Sequence, residues 1–147
     1  MEDAEIMGAS LREKARGMLC LALDNPYNLS EATHTLIELA PMIRTVKINS
    51  AFLRFHKSMT EIIRGLGLDI MIDLKIHDIP GTATKEVEAL MMLGVHYFTI
   101  HLSGTIAMVK AVSRVLDSHE LWQEGIILGI TVLTSIDQKT FEEELKI

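Results

Sequence analysis

The sequence predicts an α/β protein of the TIM (β/α)8-barrel type, carrying five of the eight β/α units of such a barrel. Three observations predict it. Apolar runs at 18–23, 45–48, 69–76, 97–102 and 126–133 recur with starts 24 to 29 residues apart, which matches one strand, a crossover helix and two loops. Segments with helical spacing lie between them, so strands and helices alternate and the sheet is parallel. The strands are uniformly apolar on one face only, and their polar residues gather at the carboxyl ends, where barrels build their active sites.

Each element follows in order. Residues 1–17 form a helical extension, and residues 1–147 a single, incomplete barrel domain. The first run sets Leu19, Leu21 and Leu23 against Cys20, Ala22 and Asp24, and successive side chains of a strand face opposite ways. Over 30–39, Ala32, Leu36, Leu39 and Ala40 share one side, with Ser30 as the expected N-cap and Glu31 in the first turn. Over 55–66 the stripe is Met59, Ile62, Ile63 and Leu66, closed by Gly65 and Gly67. In the third run Leu68, Ile70, Ile72, Leu74 and Ile76 form the apolar face, opposite Asp69, Met71, Asp73 and Lys75. Helices over 84–93, ending at Gly94, and over 106–116 flank the fourth run, which sets Phe98, Ile100 and Leu102 against Tyr97, Thr99 and His101. No GxGxxG follows a strand and no GxxxxGK[ST] occurs, so those phosphate-binding loops are excluded.

Composition narrows the function classes. With 48% hydrophobic and 23% charged residues the chain is globular, and its net charge of −6 offers no basic face for nucleic acid. No apolar stretch approaches the roughly 20 residues of a membrane span, and residues 1–17 carry charges throughout, unlike a signal peptide. One cysteine, Cys20, excludes an intramolecular disulfide and fits a reducing, cytoplasmic setting. Lying in an apolar run, it reads as a buried structural thiol. The nine methionines read as core filler, and Trp122 as packing. The acidic positions 142–144 read as a solvated helix face. His96 and His101 fall on opposite strand faces, so the six histidines do not suggest a metal site.

The barrel mouth collects Asp24, Lys47, Asp73, Lys75 and Asp78. Such charges tolerate one another only if they alternate in sign. A lysine flanked by carboxylates favours its ammonium form. That makes it a poor nucleophile but a fit proton donor to a developing carbanion. A neighbouring carboxylate aimed at an anionic substrate group would repel that group until it leaves, which suits decarboxylation without metal or organic cofactor.

Asp73-Leu74-Lys75-Ile76-His77-Asp78-Ile79-Pro80-Gly81-Thr82 resembles the D-x-K-x-x-D-I-P-N-T signature of orotidine 5′-phosphate decarboxylases. Leu23-Asp24, Lys47-Ile48-Asn49-Ser50 and Leu133-Thr134-Ser135 resemble other segments of that family in correct order. The resemblance implies the first five barrel strands and a metal-free conversion of orotidine 5′-phosphate to uridine 5′-phosphate. It assigns C6 protonation to Lys75 and a place beside the substrate carboxylate to Asp73. Lys47 would bond Asp73 and a ribose hydroxyl, and Asp24 would hold the ribose. Asp78, with Ile79 and Thr82, would project into a partner's site in a homodimer, and Thr134 or Ser135 would contact the base. Gly81 stands where the family has Asn. The family's phosphate-binding Gln loop and Arg belong to later strands, so residues 1–147 alone are expected to be inactive.

Two other readings stand beside this one. Magnesium-dependent sugar-phosphate decarboxylases and aldolases share D-x-K-x-x-D but carry a Glu on the second strand, where this chain has Lys47. The other is a non-catalytic dimerising fragment.

Overall fold

The computed structural model describes residues 2–24, 26–118 and 125–143; Trp122 and Glu144 lie outside them. The elements are α1 (Glu2–Gly17), β1 (Cys20–Leu23), α2 (Leu29–Leu39), β2 (Thr45–Ile48), α3 (Ser50–Gly65), β3 (Asp69–Ile76), α4 (Pro80–Met92), β4 (Tyr97–His101), a 3-10 turn (Leu102–Gly104), α5 (Thr105–Ser118), β5 (Ile126–Ile130) and α6 (Gln138–Glu143). The five strands are all parallel in the order β1-β2-β3-β4-β5. Sequential order with a helix after each strand is barrel order, so the chain forms five-eighths of a TIM-type wall. Among the described residues, β1 and β5 each pair on one side only.

One sheet face carries the core. Val46, Ile48, Ile70, Ile72, Phe98 and Ile100 are buried there against Leu36, Met59, Ile63, Val87, Met108 and Val112 of the helices. The opposite face holds the other parity: Ala22, Lys47 and Met71 are aligned across the first three strands. Nothing described packs over β1 on that side, so Cys20 is exposed. The expectation of a buried thiol is thereby corrected: an apolar run does not say which strand face will be covered. The methionines divide likewise, with Met59, Met91 and Met108 buried but Met18, Met42 and Met92 exposed.

The helices begin earlier than periodicity suggests. Asn28, not Ser30, caps α2: its side chain accepts the Glu31 N–H at 2.8 Å, while the Glu31 carboxylate accepts the Tyr27 N–H at 2.8 Å. This is the reciprocal logic of a capping box. Helix α3 starts directly after β2, burying Ala51 in its first turn. Helix α4 starts at Pro80 after an extended Ile79; proline suits the first helical position and pushes its predecessor out of the helical region. Gly67 and Gly94 follow α3 and α4 with φ of +68°, as left-handed helix stops do.

Candidate active site

The alternation of β3 holds from Asp69 to Ile72 and then breaks. Ile72 is level with Phe98, but Ile76 is level with Ile100, so β3 carries two extra residues within that interval. The irregularity contains Asp73, Leu74 and Lys75. Lys75 has φ of +52°, a left-handed conformation that non-glycine residues rarely adopt. Asp73 and Lys75 are therefore not successive same-face positions of a regular strand, as simple parity predicts; the bulge brings them together. Bulges of this kind re-aim side chains beside functional sites.

Lys75 Nζ donates to both Asp73 carboxylate oxygens at 2.9 Å. Lys47 Nζ lies 3.8 Å from Asp73 Oδ2 and 3.4 Å from Asp24 Oδ2. The four groups thus alternate in sign, Asp24–Lys47–Asp73–Lys75, across the carboxyl ends of β1, β2 and β3. Asp73 is only 13% exposed, against 24% for Lys47 and 33% for Lys75. Burial pushes the Asp73 carboxyl up, but hydrogen bonds from Lys75 and Thr99 and the charges of Lys75 and Lys47 outweigh it. The carboxyl is held below its ordinary value, so it is an anion at neutral pH.

Asp73, Lys75 and Thr99 form one side of a cleft of about 550 Å³, and Leu133, Thr134 and Ser135 form another. Six of the predicted groups, Asp24, Lys47, Asp73, Lys75, Thr134 and Ser135, thus line one space or adjoin it through Lys47. Ile79 and Thr82 do not join them, whereas Asp78 lies outside that cleft but lines another hollow, of about 470 Å³, together with Lys75 and Glu86. Asp78 is exposed and accepts the Ile79 N–H at 2.6 Å. With His77 and Ile79 it lines a separate hollow of about 260 Å³ beside Gly104. The Thr82 N–H donates to the Ile79 carbonyl at 3.0 Å in the first turn of α4. Gly81 sits in that turn with open space where a Cβ would be. Among the described residues no three His, Cys, Asp or Glu side chains cluster as metal ligands. His96 lies outside β4, where Nδ1 accepts the Ile70 N–H at 3.1 Å and Nε2 faces Asp69 at 3.5 Å.

Thr99 is the member that sequence reasoning misses. It is 1% exposed, donates its hydroxyl proton to Asp73 Oδ1 at 2.9 Å and accepts the Lys75 N–H at 2.8 Å. Its inward parity beside Asp73 was the available signal. Inside Phe98-Thr99-Ile100, however, a threonine reads simply as a β-branched strand residue.

Known proteins are similar to this chain in sequence and in fold. Orotidine 5′-phosphate decarboxylase of Pseudomonas syringae pv. tomato is 33% identical over 120 residues, covering 81% of this chain and 51% of that protein. The enzyme of the same name from Syntrophus aciditrophicus is 33% identical over 129 residues, covering 84% of this chain and 51% of the relative. The crystal structure of orotidine 5′-phosphate decarboxylase from Lactobacillus acidophilus superposes with a TM-score of 0.76 at 26% identity, over 90% of this chain and 60% of the other. An uncharacterized conserved protein from Geobacillus kaustophilus gives 0.78 at 27% identity, over 87% and 60%. The chain spans about half the length of the curated relatives it matches. Residues 17–146, nearly the whole chain, match the model of one family, and the chain belongs to the Orotidine 5′-phosphate decarboxylase / HUMPS family.

Proposed function

We infer that this chain supplies the catalytic charge cluster of an orotidine 5′-phosphate decarboxylase that works without metal or organic cofactor. The carrying observation is the Lys75 ammonium, donating to both oxygens of Asp73 at 2.9 Å beside a cleft shared with Thr134 and Ser135. In the proposed reaction the bond from C6 to the substrate carboxylate breaks, carbon dioxide leaves, and the electron pair stays on C6. Lys75 stabilises that pair and then gives it a proton, yielding uridine 5′-phosphate. A preorganised ammonium aimed at developing negative charge is the largest contribution such a site can make. Asp73 stands beside the departing carboxylate, Lys47 bonds Asp73 and a ribose hydroxyl, and Asp24 holds the ribose. Thr134 or Ser135 contacts the pyrimidine.

The reading includes a cytoplasmic homodimer in which Asp78, Ile79 and Thr82 serve the partner's site. The exposure of Asp78 and Ile79 outside the cleft that Asp73 lines supports it. No described helix is long and apolar enough to cross a membrane. Binding of the substrate phosphate falls to residues beyond these five units, so residues 1–147 alone bind uridine 5′-phosphate weakly and turn over negligibly. Remote phosphate contacts supply energy that is realised at the reacting carbon.

The matched family also includes the HUMPS branch, which supports a magnesium-dependent sugar-phosphate reaction as the second reading. Lys47 counts against it, because its ammonium lies between Asp24 and Asp73 and opposes a divalent cation there. The test is turnover of orotidine 5′-phosphate by a chimera joining this segment to the C-terminal strands of the Pseudomonas syringae relative. Turnover is expected to persist in EDTA and to fall on the order of 10³-fold with Lys75→Ala. Loss in EDTA with recovery on adding magnesium would replace this reading with the second one.

A further inference from the structure

One hydroxyl group spans the irregular point of the sheet. Thr99 sits on β4 between Phe98 and Ile100, both buried, opposite the interval where β3 leaves register. A hydroxyl has one proton to donate and lone pairs to accept with. Here the Lys75 N–H can only donate and the Asp73 carboxylate only accept, so both roles of the hydroxyl are determined. It accepts from the Lys75 backbone at 2.8 Å and donates to Asp73 Oδ1 at 2.9 Å. The same carboxylate receives the Lys75 ammonium on both oxygens. A closed loop results: Thr99 holds the Lys75 backbone, Lys75 holds Asp73, and Asp73 is held by Thr99.

Lys75 needs such a hold. Its φ of +52° is disfavoured for any residue with a Cβ, and conformations of this kind persist where the surroundings over-determine them. In an extended strand the Lys75 side chain would leave the backbone in a different direction. We propose that Thr99 is a positioning residue, whose buried hydroxyl locks Lys75 in the left-handed conformation and thereby sets where its ammonium stands against Asp73. The lock itself rests on geometry alone; its importance for proton delivery rests on the function proposed above.

The charged groups around Asp73 are Lys75 on its own strand and Lys47 on β2, with Asp24 of β1 beyond Lys47. From β4 it meets the neutral Thr99, and β5 brings the apolar Leu128 and Ile130 to the same cleft. Removing the hydroxyl therefore leaves the surrounding charges unchanged. Valine matches threonine in shape without the hydroxyl, and serine restores the hydroxyl on a smaller side chain.

Two measurements on the 147-residue chain test the lock by NMR. In Thr99→Val, amide exchange at Lys75 is expected to quicken about fivefold or more relative to Ile70 and Ile72, the equivalent of one ordinary hydrogen bond. The Asp73 carboxyl midpoint is expected to rise by about 0.7 of a pH unit. Thr99→Ala carries the same expectations, and Thr99→Ser should restore both values. A merely structural threonine would change exchange along all of β3 together. Uniform change, an unmoved Asp73 midpoint, or no rescue by serine would each overturn the lock. Neither measurement needs turnover, so a chimera inactive toward orotidine 5′-phosphate would strike the proposed function and not this inference.

Discussion

Asp69 and Asp73 stand on one strand with side chains equally enclosed, each 13% exposed, yet their surroundings differ in kind. Asp69 opens β3 at the amino end of the sheet. Arg44 Nε donates to its Oδ2 at 2.8 Å, and His96 Nε2 lies 3.5 Å from its Oδ1. Its own N–H goes to the Arg44 carbonyl at 2.8 Å, and His96 takes the Ile70 N–H. The cluster stitches together the loops that enter β2, β3 and β4, on regular backbone. Asp73, at the carboxyl end, is held across an irregular backbone by two ammonium groups that also reach solvent. One end joins segments, while the other holds charge poised beside a cleft. The barrel principle of a stabilising amino face and a reacting carboxyl face predicts such a division along one β-strand.

The largest expected difference between the two ends is in turnover. In the chimera described above, Lys75→Ala should cost on the order of 10³-fold, within the usual reach of a positioned proton donor. It should lower the melting temperature little, and Asp24→Ala should cost activity far less. Comparable losses from Lys75→Ala and Asp24→Ala would contradict the proton-donor role. Asp69→Ala should reverse the balance. It leaves Arg44 and His96 without their shared carboxylate and should destabilise the chain by about 1–3 kcal/mol, measured by urea unfolding. If Asp69→Ala unfolds no more easily than the wild type, the amino-end cluster is not the stabilising one.

Acid sharpens the contrast from another side. The folded state holds the Asp73 carboxyl below its ordinary value of 3.8, so the chain gains stability from it above that value. The gain is lost as pH falls from about 3.8 through the lower folded value, because the unfolded state takes up the proton first. Unfolding curves between pH 5 and 2 should show this slope reduced in Asp73→Asn. The smallest effect belongs to Glu86 on α4. Burial, and then the charge of Asp78, raise its carboxyl above the ordinary value of 4.5, so its ionised form is disfavoured in the folded state. Glu86→Gln should therefore leave stability unchanged or raise it by a few tenths of a kcal/mol at pH 7, with the difference vanishing near pH 4.

Much of this was legible in the chain and some was not, for physical reasons. Recurring apolar runs located all five strands, and period-two alternation sorted the faces of β1, β3 and β4. Strands β2, β3 and β4 each bury residues of one face against helices, whereas β5 has none that is buried. The sign alternation of Asp24, Lys47, Asp73 and Lys75 was legible because close charges must compensate. The bulge was hidden, since Asp73 and Lys75 keep the spacing of a regular strand. Thr99 was hidden with it, because its partner is the backbone of a residue whose conformation the spacing did not reveal. Helix starts were misplaced where capping depends on Asn28 and Pro80, which precede the apolar stripe. Cys20 was misjudged because coverage of a strand depends on what lies opposite it.

The two single-sided strands, β1 and β5, carry a practical consequence for anyone handling the chain. Each presents a row of backbone donors and acceptors with no neighbouring strand among the described residues, and Ile126 on β5 is 48% exposed. Such rims are adhesive toward any extended peptide that reaches them. The same adhesion would let a separately supplied peptide with the sequence of a relative's next strand dock along β5.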